Sequence, residues 1–126
     1  QVLSGAAGAR TGGLTTSALA IGHATGPIQF LQKEAQQRGD LAAIAEELAK
    51  EQTRLLTQLL ALAAGDEVCA PGDLRANANS LALRAAQSAM AAAKGAGYVS
   101  GHPAGRWLRE AAFFLVWSCP QPVMQA

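Results

Sequence analysis

The residues able to do chemistry in this 126-residue chain are few and scattered. They are two histidines, His23 and His102, two cysteines, Cys69 and Cys119, and a mixed stretch from Lys94 to Gln121 that holds glycine, charge and most of the aromatics. A histidine serves a metal or a catalytic proton when a second ligand or a carboxylate stands at ligand spacing, and neither histidine has one. A packed or solvated imidazole is the ordinary reading of both. A reactive thiolate needs an activating surround that the sequence around Cys69 and Cys119 lacks, and the chain has no zinc-type spacing, so both are expected to be inert. Gly95-Ala96-Gly97 follows a helical pattern instead of a strand and is too short for a dinucleotide fingerprint; by itself it marks a tight loop. Arg106, Arg109 and Glu110 are expected to make a surface ion pair worth under about 1 kcal/mol. Trp107, Phe114 and Trp117 stand at helical spacing, which means core more often than a ligand pocket.

Helices must position these residues. Positions 1–14 are small and glycine-rich and read as a linker or the tail of a preceding domain, with a helical domain over 15–126. Thr15, Thr16 and Ser17 offer N-cap hydroxyls to a first helix whose apolar positions are Leu19, Ile21, Ile28, Phe30 and Leu31. Gly22, Gly26 and Pro27 lie inside it. The ring of Pro27 collides with the carbonyl of His23 in a regular helix, so a bend or break is expected there, and the small residues allow a neighbouring backbone to come close. Arg38-Gly39-Asp40 reads as a helix end and a new start, with Gly39 left-handed and Asp40 the N-cap.

From Leu41 the series Leu41, Ala45, Leu48, Gln52, Leu55, Leu59, Leu62 runs in alternating steps of four and three, the seam of a bundle helix. Glu46 and Lys50 on its other side are ordered for an i,i+4 pair. After a turn-rich connector, Asp73 is placed to cap a third helix from Leu74 to about Ala93. Its alanines on several sides allow close packing and predict a central position or a place against another subunit. A fourth helix, roughly Pro103 to Trp117, is apolar on most sides and so has to be buried on most sides, which predicts an oligomer interface or a partner domain. Ten basic and nine acidic side chains leave a net charge of +1 with no basic patch, so neither nucleic acid nor an anionic membrane is expected. The longest apolar run is far short of the roughly 20 residues that span a bilayer, and the paucity of cysteine favours the cytoplasm. A start at Gln-Val-Leu without signal-peptide features predicts a segment of a longer protein.

Lys94-Gly95-Ala96-Gly97-Tyr98, then Pro103, then Arg109-Glu110 six residues on, then Trp117-Ser118-Cys119-Pro120, resembles the C-terminal helical domain of the acyl-CoA dehydrogenases. In that family a long helix ends in a Gly-Gly-x-Gly-aromatic loop, followed at the same spacing by a proline, Arg-Asp and an aromatic-Glu-Gly-Thr turn. The likeness is specific over the last quarter and follows only the helix order over Thr15 to Ala93. It implies an all-α, up-down four-helix bundle within an FAD-dependent oxidoreductase acting on an acyl-CoA-type substrate. It further implies backbone contact with the flavin at Gly95, Ala96 and Gly97, where bulk would block approach, and a homodimer or homotetramer.

Three places depart from the family pattern. Ser118 stands where many members carry the catalytic glutamate, and no acid precedes Glu34, where other members place it early in the first helix. A neutral hydroxyl cannot serve as that base, so no catalytic residue is assigned and the isolated chain is expected to be inactive. Of the family's Arg-x-x-Phe-Gly, only Arg38-Gly39 is present, and the pyrophosphate role is not carried over to Arg38. The alternative expectation is a non-catalytic helical module that kept the fold and self-associates through its fourth helix.

Overall fold

A computed structural model describes residues 14–93 and 102–118, with side chains as far as Phe113. Among the described residues the chain is all helical: α1 over 14–23, α2 Thr25–Ala35, a 3-10 turn Gly39–Leu41, α3 Ala42–Ala63, α4 Pro71–Ala93 and α5 Pro103–Ser118. α1 and α2 are one helix interrupted by a single residue, so four helices in all are described. The interruption has the cause expected from the sequence. Pro27 has no N–H for the carbonyl of His23, and the ladder shortens at Ala24, whose N–H reaches Ile21 at 3.3 Å, before Ile28 reaches back to Ala24 at 3.0 Å. Gln52 of α3 pins this turn from outside, its Nε2 donating to the carbonyl of Ile21 and to Thr25 Oγ1, both at 2.9 Å. That explains a polar residue in the middle of α3's apolar seam, whose members Ala45, Leu48, Leu55, Leu59 and Leu62 are buried.

α4 is central, packing on α2, α3 and α5. Ala78, Ala82, Ala85, Ala86 and Ala89 are fully buried, and helices meeting over alanine approach more closely than over leucine. The helix begins three residues before the expected Leu74. Pro71 takes the first position, where its missing N–H costs nothing, and Leu74 N–H closes the first bond on Ala70. Asp73 therefore lies inside the first turn, where a carboxylate meets the positive end of the helix dipole.

The corner at residues 38–40 also differs from expectation. Gly39 is not left-handed, and Asp40 sits within the 3-10 turn while Leu41 precedes α3 without a side-chain cap. Among the described residues the left-handed glycine is Gly65 instead, at φ 98°, just past α3. Its N–H bonds Leu62 at 3.1 Å and that of Asp66 bonds Ala61 at 2.9 Å, the paired bonds of a Schellman end.

Candidate functional site

The glycine segment is the first place to look, and Gly95, Ala96 and Gly97 lie outside the described residues, in the interval between the end of α4 at Ala93 and His102. Ser118 is the last residue of α5. What the structure does describe is how the two ends of that interval are held. On the α4 side, Arg38 Nη1 donates to the carbonyl of Ala92 at 2.6 Å, with Glu34 Oε1 at 4.0 Å from the same nitrogen. A guanidinium on a carbonyl in the last turn of a helix supplies it with a donor and meets the negative end of the dipole. Arg38 is thus a helix-capping residue.

On the α5 side, His102 is the cap. Its Nδ1 accepts the N–H of Ala104 at 3.1 Å, so the neutral ring carries its proton on Nε2, and Pro103 fills the first helical position. The same ring stands edge-on to Phe30 of α2 at 5.8 Å between centroids, and Phe30 meets Trp107 at 6.1 Å. Trp107 in turn lies on the backbone of α2. A Cβ built on Gly26 would come within 2.9 to 3.0 Å of Nε1, Cε2 and Cζ2 of the indole. Gly26 therefore admits an aromatic side chain, where a neighbouring backbone was expected from the sequence, and nothing lies within 4 Å of a Cβ at Gly22. Trp107 is a half-buried member of the core margin, as its spacing implied.

One turn further along α5, Glu110 Oε1 stands 2.9 Å from His23 Nε2, the imidazole nearly buried and the carboxylate half exposed. Glu110 thus goes to a partner 87 residues away, and among the described residues the expected pair with Arg106 or Arg109 is absent. Nothing in the local sequence signals the His23–Glu110 pair, because it exists only once α5 is laid on α1. The three contacts, His102 with Phe30, Trp107 with Gly26 and Glu110 with His23, fix the register of α5 and with it the far end of the glycine interval.

Elsewhere, Glu46 and Lys50 pair at 3.0 Å as their spacing predicted, and Arg84 pairs with Glu51 across α3 and α4. Cys69 is a free thiol, half-buried, with Gln58 Oε1 at 3.9 Å; Cys119 lies outside the described residues. Among the described residues no group of three or more His, Cys, Asp and Glu is placed to hold a metal, and no helix is long and apolar enough to cross a membrane. Comparison with protein-family models, with curated proteins and with solved structures finds no match to this chain.

Proposed function

We propose that this chain is the C-terminal helical domain of a divergent FAD-dependent oxidoreductase similar to the acyl-CoA dehydrogenases. In this reading it is an up-down four-helix bundle that contributes a flavin contact and an oligomer surface and is inactive alone. The observation that carries the reading is the position of the glycine segment. α4 stops at Ala93 and α5 starts at Pro103, so Gly95, Ala96 and Gly97 fall between two helix ends, both of them capped from α2 or its following corner or from within the interval itself. A short glycine-containing segment tethered between braced helix ends is suited to presenting backbone to a planar ring. α5 then runs unbroken through Arg109 and Glu110 to Ser118, the span over which the family spacing holds.

When bound, the flavin would supply the hydride chemistry with an acyl-CoA-type substrate. This chain's part is to orient it through the backbone of 95–97. Arg38 is engaged with Ala92, so no described residue is assigned to the pyrophosphate. Ser118 leaves proton abstraction to a carboxylate elsewhere in the full-length protein. A cytoplasmic location belongs to the same proposal. The test is the visible absorption spectrum of the natural protein that contains this chain, as purified. Flavin bands that are lost in Gly95→Val/Gly97→Val support the reading, and a colourless protein refutes it.

A second reading has its own observation. α5 turns Phe113 outward, 60% exposed, and α1 leaves Leu19 51% exposed. Burying such a side chain is worth roughly 1.5 to 3 kcal/mol, which favours self-association through α5; the second reading is a non-catalytic module that forms a homodimer or homotetramer by that helix. A protein without flavin that is a dimer as wild type and a monomer as Phe113→Ser would select this reading over the first.

A further inference from the structure

The core seam of α3 is not its only apolar stripe. Ala42, Ala49, Thr53, Leu56 and Leu60, together with Ala45 at the edge of the seam itself, follow one another in steps of three and four and form a second face beside it. The two halves of this face differ in shape. Ala42, Ala45 and Ala49, with Ala35 and Gln32 of α2, line an open groove of about 500 Å³ rimmed by Glu46, Lys50 and Thr53. Leu56 and Leu60 stand out of the other half, 44% and 61% exposed. One half is a row of small residues at the floor of a groove and the other is a pair of protruding branched side chains.

We propose that α3 docks on α3 of a second copy of this chain, antiparallel, about a two-fold axis near Ala49. A two-fold contact pairs residue i with j and j with i, so a face is self-complementary when it fits its own reversal. About Ala49, reversal sets Leu56 of each copy opposite Ala42 of the other and Thr53 opposite Ala45, and carries Leu60 toward the α2 end of the groove. Protrusions meet the groove at both ends. The charges are complementary under the same operation. Glu46 and Lys50 lie on one flank, one turn apart, and a two-fold axis brings that flank against its copy with the order reversed. Glu46 of each chain then stands two residues, about 3 Å of helix rise, from the level of Lys50 of the other, within reach of the long lysine side chain. The polar atoms on this face are also ready for burial. Thr53 Oγ1 already donates to the carbonyl of Ala49 at 3.1 Å and Thr57 Oγ1 to that of Thr53 at 2.9 Å, so covering them strands no donor. Alanine at the centre lets the two helices approach closely.

This gives the oligomer surface of the first reading a place on α3, as against the α5 surface of the second, and does not rest on flavin binding. The test is the mass and self-association constant of this chain by sedimentation equilibrium, for wild type, Glu46→Lys, Lys50→Glu, the double exchange and Phe113→Ser. Each single exchange sets like charges against each other twice across the axis and is expected to weaken association by about tenfold or more. The double exchange restores it, since opposite signs meet again. Circular dichroism reports in parallel that these exposed substitutions keep the helices. A chain that is monomeric throughout, or one whose association is indifferent to the charge exchanges, overturns the proposal. Loss of association in Phe113→Ser alone would move the interface to α5.

Discussion

Gly22 and Gly26 sit one turn apart on the interrupted first helix, and replacing each by alanine should move stability in opposite directions. Both substitutions gain about 1 kcal/mol of helix propensity, because alanine loses less backbone freedom on folding than glycine. At Gly22 nothing lies within 4 Å of the added Cβ, so the gain is kept. At Gly26 the Cβ would stand 2.9 to 3.0 Å from three atoms of the Trp107 indole. Carbon atoms in contact prefer about 3.5 Å or more, so the ring has to withdraw by about half an ångström. It has little room to do so, since Phe30 stands against it and His102 stands against Phe30. Overpacking of this kind costs about 1 to 3 kcal/mol. Gly26→Ala should therefore lose about 1 kcal/mol net, leaving a gap of about 2 kcal/mol from Gly22→Ala. The assay is equilibrium urea unfolding followed by circular dichroism, repeated in a Trp107→Phe background, where Gly26→Ala should become neutral or favourable. If Gly26→Ala stabilises the wild type as much as Gly22→Ala does, the indole does not lie on α2 and the register assigned to α5 is wrong.

Three further substitutions probe the joints between helices. Gln52→Ala removes both bonds that α3 sends to the interrupted turn and should cost about 1 to 2 kcal/mol in urea unfolding, with earlier amide exchange at residues 21–25. His102→Ala should cost about 1 kcal/mol as a lost N-cap, and His102→Asn should recover most of it, because asparagine caps well. Gly65→Val forces a branched side chain to φ 98° and should lower the thermal midpoint by several degrees, whereas Gly65→Asn should lower it much less.

These joints mark the boundary of what the sequence discloses. The seam of α3, the centrality of the alanine-rich α4, the start of α5 at Pro103 and the disruption near Pro27 follow from spacing within one element, and each is present in the structure. The Glu46–Lys50 pair follows for the same reason. Choices that depend on closure of the chain do not follow. Glu110 had arginines one and four residues away in sequence and took His23 from another helix; Arg38 took a carbonyl 54 residues away. The corner at Gly39 and Asp40 misled because glycine and aspartate are equally at home in a 3-10 turn and in the cap arrangement expected of them. The left-handed position is Gly65, in the backbone-bonded end of α3. The proposed flavin contact at Gly95, Ala96 and Gly97 draws on the spacing between motifs in the sequence and on the described helix ends at Ala93 and Pro103.

The alanine face of α4 sets a limit on how this chain can vary. In a leucine core, a substitution that shrinks one side chain can be answered by growth of a neighbour, so composition drifts while volume stays constant. Ala78, Ala82, Ala85, Ala86 and Ala89 have no such exchange open to them. The only smaller residue is glycine, which weakens the helix, and any larger one pushes apart two helix axes at once, because α4 touches α2, α3 and α5. Variation that the rest of the fold absorbs one side chain at a time would here shift whole helices, including the end of α4 from which the glycine segment leaves.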